Sequence, residues 1–106
     1  MSAKNINDFL IYDSARLTKQ VIYKEEKSQA FVLNLIPGQK LPPHNHPNAH
    51  VYLLVIEGGG MCGIDDQLFN IHERDAIHCG DKQMLAIENT SDKNLSLYVI
   101  LTREAK

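Results

Sequence analysis

The stretch Pro42-Pro43-His44-Asn45-His46-Pro47-Asn48-Ala49-His50-Val51-Tyr52-Leu53-Leu54-Val55-Ile56-Glu57-Gly58 carries both the fold and the candidate chemistry. Its second half is a continuous apolar run rich in β-branched and aromatic residues. It is stopped by Gly58-Gly59-Gly60, the mark of a strand buried on at least one face. Its first half cannot be helical. Pro42, Pro43 and Pro47 lack the amide hydrogen and push the residues before them into extended geometry. The histidines are therefore not the helical pair of a zinc protease, and the glutamate such a pair needs is missing as well. In an extended chain, residues two apart share a face, so His44 and His46 project together. His50 has the same parity, provided that no bulge follows Pro47.

Working outward, short apolar runs alternate with turn formers. Gln20 to Tyr23, Ala30 to Ile36, Val51 to Ile56, Met61 to Ile64, Leu68 to Ile71, Ala76 to Cys79, Met84 to Glu88 and Leu95 to Leu101 read as eight strands. Asp65-Asp66-Gln67 sits between two of them as a hairpin turn. Helical periodicity is weak, and only Ile6 to Leu17 has room for a helical turn or two. Strands at this spacing predict an all-β fold, a sandwich or a closed barrel; closure also removes sheet edges that invite aggregation. Gly58, Gly60 and Gly63 formally match a dinucleotide fingerprint. No helix follows them, so they read as turn and bulge glycines.

A chain of 106 residues is expected to form one domain, spanning 1–106. Such a chain buries roughly two-thirds of its unfolded surface, enough for a core without disulfides. The 43% hydrophobic and 23% charged composition is ordinary for a globular protein, and a net charge of -2 offers no attraction for nucleic acid or an anionic membrane. No apolar run approaches the ~20 residues that span a bilayer, and Met1-Ser2-Ala3-Lys4-Asn5 leads into no apolar signal segment. A cytoplasmic location is the default expectation. Cys62 and Cys79 then read as reduced core residues.

His44, His46 and His50 are the candidate metal ligands. Neutral imidazoles bind Fe, Zn, Ni or Mn, and three on one face leave positions open for water or substrate. The alternative is that they are structural or solvated. His78 is a possible fourth ligand if its strand turns it inward. His72, beside Glu73 and Arg74, reads as exposed. Glu57 reads as a solvated strand-end charge, and Tyr52 and Tyr98 as core residues before pocket residues.

These motifs resemble those of the cupin superfamily, in particular its small single-domain members. The family's first motif runs Gly, five residues, His-x-His, three or four residues, Glu, six residues, Gly. Here Gly38 precedes His44-x-His46 by five residues, and His50 or Val51 stands where the family has Glu. The second motif is degenerate. Ala86-Ile87-Glu88-Asn89 matches its end, but Leu85 occupies the place of the family's third metal histidine. The resemblance implies a jelly-roll-like β-barrel, a divalent metal ion, a small-molecule ligand in the barrel, and a homodimer. Were the protein an enzyme, it would imply metal-dependent oxygenase or isomerase chemistry. A non-catalytic small-molecule-binding or sensor module, with or without metal, is the other reading, because fold does not fix function.

Overall fold

The computed structural model describes residues 2–104. A single 3₁₀ turn, Ile6–Phe9, is followed by nine strands: β1 (Thr18–Lys24), β2 (Ser28–Leu35), β3 (Lys40–His44), β4 (Ala49–Glu57), β5 (Gly60–Ile64), β6 (Gln67–Ile71), β7 (Ala76–Cys79), β8 (Leu85–Glu88) and β9 (Leu95–Arg103). They form two antiparallel sheets, ordered β1-β2-β9-β4-β7 and β3-β8-β5-β6. This is a jelly-roll barrel: the strand spacing predicts a sandwich or closed barrel, and the family resemblance implies the jelly roll.

Eight of the nine strands coincide with the expected apolar runs. The ninth, β3, carries Pro42 and Pro43 and has little apolar content. It survives because it lies at the edge of its sheet, pairing only with β8. Its ladder is irregular between Leu41 and His44, so the two prolines fall where no regular rung demands an amide hydrogen. Residues 6–17, with room for a helical turn or two, supply the single 3₁₀ turn, capped by the Asn5 side chain accepting from the Asn7 amide. The Asp65-Asp66 hairpin forms as expected, with Asp65 in the left-handed region.

The core lies between the sheets. On β4 the side chains of Ala49, Val51, Leu53 and Val55 are buried, and those of His50, Tyr52 and Leu54 point away. On β9 the buried set is Leu95, Leu97, Val99 and Leu101, and on β2 it is Phe31, Leu33 and Leu35. Burial of apolar area of this kind is the main drive for folding, at roughly 25 cal/mol per Å².

The outer face of β2 is buried too, because residues 2–17 lie across that end of the sheet. Asn34, fully buried, donates from its side-chain nitrogen to the Phe9 carbonyl (2.9 Å) and to Thr18 Oγ1 (3.2 Å). Ser96 Oγ donates to Asn34 Oδ1 at 2.6 Å. Having spent its proton there, Ser96 accepts from the Tyr12 hydroxyl, also at 2.6 Å. Burial raises the Tyr12 phenol above its ordinary range, so it stays a donor.

Two turns need their particular residues. Gly58 has φ +79, and a Cβ there would sit 2.1 Å from the Asn94 carbonyl oxygen. Asn89 is buried, and its side-chain nitrogen donates to the carbonyls of Leu35 and Lys93 while its oxygen accepts from Ser91. That residue of the second motif thus ties β8 to the end of β2 and to the turn before β9.

Candidate functional site

His44 ends β3 and lies across the ladder from Leu85 of β8. Leu85 is buried in the core, so the shared face of the ladder turns His44 toward the barrel interior as well. His44 Nδ1 is 3.0 Å from the Pro42 carbonyl. A carbonyl only accepts, which assigns the proton to Nδ1 and leaves Nε2 of the neutral ring as an acceptor. His46 follows two residues later, and the two rings meet edge to face with centroids 4.5 Å apart. Both line a cavity of about 90 Å³ with Lys19, Phe31, Leu33, Leu41, Val51, Leu53, Leu85 and Val99.

His50 is not there. The chain turns at Pro47-Asn48: the Ala49 amide donates to the His46 carbonyl at 3.1 Å, and Asn48 has φ +62. Proline second and a left-handed residue third is the signature of a type II turn. The turn breaks the two-residue alternation, so β4 begins with Ala49 inward and His50 outward. The expected convergence of His44, His46 and His50 on one ion is therefore corrected. The sheet itself stands between the first two and the third.

On the outer face His50 joins the other residue proposed as a ligand. His50 Nδ1 is 2.9 Å from His78 Nε2, and the rings are stacked at 13° with centroids 5.1 Å apart. Tyr52, across the ladder from His78, completes the row. His50 Nε2 lies 3.4 Å from Glu104 Oε1. His72 is exposed, as expected, beside Asp75. Tyr52 and Tyr98 belong to the outer face, not the core, because each shares a parity with His50 on its own ladder. Glu57 is exposed and faces Tyr12 at 3.4 Å.

The electrostatics of the barrel mouth are one-sided. Burial is the largest influence lowering the His46 pKa, and the basic side chains of His44, Arg103 and Lys19 act in the same direction. Lys19 and Arg103 reach this end by register. Lys19 pairs with Leu33, which lines the cavity, and Arg103 pairs with inward-facing Ala49. The lysine ammonium lies 4.4 Å from the centre of the Phe31 ring. Among the described residues no carboxylate lines the cavity. Lys19 is inconspicuous in the sequence because it precedes the apolar run that marks β1; its parity with Val21 is the available signal. Arg103 lies past the last apolar residue of β9, and its parity with Leu101 is likewise the available signal.

Two imidazoles do not make the donor set of a divalent metal centre, which ordinarily has three or four protein ligands. Apart from Lys19 the remaining walls are apolar, with Val51 and Leu85 at the places where the first and second motifs would supply donors. Among the described residues no group of three or more histidine, cysteine, aspartate or glutamate side chains is placed to hold a metal ion. Cys79, buried on β7, directs its thiol toward the carbonyls of Gly80 and Gln83. A second, shallower groove of about 160 Å³, on the outer face of the β3-β8-β5-β6 sheet, contains no histidine.

A profile of the cupin domain matches residues 31–101. No match was found among curated protein sequences. Among solved structures, the TT1209 protein of Thermus thermophilus superposes with a TM-score of 0.93 at 17% identity, covering 99% of this chain and 100% of that one. An uncharacterized conserved protein with a double-stranded β-helix domain from Klebsiella pneumoniae gives 0.91 at 14% identity, covering 97% and 90%. A predicted oxalate decarboxylase from Thermotoga maritima gives 0.71 at 15% identity, covering 89% and 99%. At these identities the likeness concerns the fold. No helix among the described residues is long and apolar enough to cross a membrane. The matched profile spans two-thirds of the sequence, the strands form two antiparallel sheets, and the His-x-His pair sits at the barrel mouth: the chain belongs to the cupin family.

Proposed function

We propose that this cupin is a small-molecule-binding module whose ligand enters the barrel between His44 and His46, and that binding does not depend on a metal ion. The observation that supports this reading is the composition of the cavity. Two polar rings and one ammonium stand at the opening of a pocket otherwise walled by Phe31, Leu33, Leu41, Val51, Leu53, Leu85 and Val99. An apolar concavity with a few convergent polar groups is the usual form of a ligand site. His44 is held in place by its bond to the Pro42 carbonyl, so its outward nitrogen is presented at little entropic cost. The described lining offers no hydroxyl, thiol or carboxylate side chain, which favours capture over turnover.

The test is a thermal-shift screen of small organic compounds on protein stripped with a chelator, repeated on Leu85→Phe. The added ring would occupy the cavity while keeping the wall apolar. Compounds that stabilise the parent and not the variant, with both folded by circular dichroism, are the expected result. Stabilisation that appears only after metal is restored, or that survives the filled cavity, overturns the reading.

A further inference from the structure

The charge pattern at the barrel mouth identifies the ligand class, an inference that rests on the binding reading above. We infer that the barrel takes a small monoanion with a short apolar tail, a monocarboxylate of about four to six carbons, with its head between Lys19, His44 and His46 and its tail against Phe31, Leu33 and Val51.

Three observations converge. First, every ionisable side chain among the described residues lining the cavity is basic: Lys19, His44 and His46. Arg103 adds a fourth basic group close enough to influence His46. A protein of net charge -2 has placed four basic groups together at one barrel end. The carboxylate at that end of β9, Glu104, is engaged outside the barrel, beside His50.

Second, the cavity is small. At about 90 Å³ it falls below the roughly 150 Å³ void that takes up benzene. A nucleotide or sugar cannot be buried in it. A short alkyl chain fits, leaving the head at the opening where the basic groups are. The walls offer no polar group deeper than the imidazoles, so a second charged or hydroxylated end would be buried unsatisfied. This excludes dicarboxylates and sugar acids as well-bound ligands.

Third, the donors are set apart in a way that suits a carboxylate. Lys19, packed along the Phe31 ring, supplies an ammonium group at the opening. His46, whose ring meets that of His44 edge to face, still donates from one nitrogen of the neutral imidazole, while the ring proton of His44 is engaged by the Pro42 carbonyl. Charge-assisted hydrogen bonds to a carboxylate are about twice as strong as neutral ones.

The experiment compares pentanoate, pentanol and pentylammonium, which share a tail and differ in head charge. Dissociation constants come from shifts of the Leu33, Val51, Leu53, Leu85 and Val99 methyl signals, in the parent, Lys19→Gln and, as an unrelated control, His72→Gln. Lys19 is exposed, so its replacement leaves folding intact. Pentanoate is expected to bind most tightly and pentylammonium least. Lys19→Gln should weaken pentanoate about tenfold and leave pentanol unchanged, and His72→Gln should alter nothing. If pentanol binds as well as pentanoate, or Lys19→Gln has no effect on pentanoate, the charge assignment is overturned while barrel binding stands. If none of the three moves the cavity methyls, the charge assignment is overturned as well, and barrel binding is then decided by the compound screen.

Discussion

His44 and Leu85 are partners across the β3–β8 ladder, one an imidazole and the other a buried alkyl chain, at a point where two inward faces meet. This pair explains why a barrel with the family's His-x-His lacks a third donor beside it. The residue that would complete the cluster has been replaced by a wall.

The replacement can be reversed. Leu85→His would place a third imidazole beside His44 and His46, reaching the three ligands of a catalytic-type site. The variant should bind Zn²⁺ or Co²⁺ at least about tenfold more tightly than the parent. Calorimetry on untagged protein, supported by Co²⁺ absorption, would show it. Equal affinities would mean that the two side chains do not face a common space.

His46 makes stability depend on pH in a definite direction. Its folded-state pKa lies below the ordinary value of 6.5, chiefly through burial. Above that pH both states hold the ring neutral and there is no penalty. As pH falls through 6.5 the unfolded chain takes up the proton first, and stability declines until the folded-state pKa is passed. The melting temperature should drop between about pH 7.5 and 5.5, and His46→Gln should reduce that slope. Identical slopes in the parent and the variant would refute the assignment.

The strap formed by residues 2–17 depends on a buried polar chain running Tyr12, Ser96, Asn34, Phe9. Asn34→Ala leaves the Ser96 hydroxyl and the Phe9 carbonyl without their partner, at a cost of about 1–3 kcal/mol. Urea unfolding would measure that loss. Limited trypsin digestion should cleave faster after Arg16 than in the parent, because the strap loosens before the barrel does.

Burial pushes the Cys62 thiol up to about 11, and Cys79 is shifted upward by the same cause. Neither is a competent thiolate at neutral pH. Alkylation by iodoacetamide should be slow in native protein and become rapid for both cysteines once urea unfolds it. Rapid native labelling of Cys62 would show that the core opens far more often than its packing implies.

Most of the fold was legible because strands announce themselves through local apolar runs and turn residues, as at Val51 to Ile56 and Asp65-Asp66. β3 was hidden. Pro42 and Pro43 argue against a strand, and only the tertiary position at a sheet edge makes Lys40–His44 acceptable as one. His44 and His46 were correctly read as neighbours because no turn separates them. His50 was misplaced by a single residue, Asn48, whose left-handed backbone resets the alternation. Asparagine adopts that conformation more readily than most residues, and with Pro47 before it the turn signal was present in the sequence. The Leu85 substitution was visible and told against a full metal set. The basic groups at the mouth were not, since Lys19 and Arg103 meet only through strand register.

The most direct test of the binding site is a long-range ¹H–¹⁵N spectrum of the five histidine rings, recorded on metal-free protein before and after saturation with pentanoate. The rings of His44 and His46 should shift, and those of His50, His72 and His78 should stay where they are. Shifts confined to His50 and His78, or no shift at any ring under saturating ligand, would contradict the placement of the carboxylate in the barrel mouth.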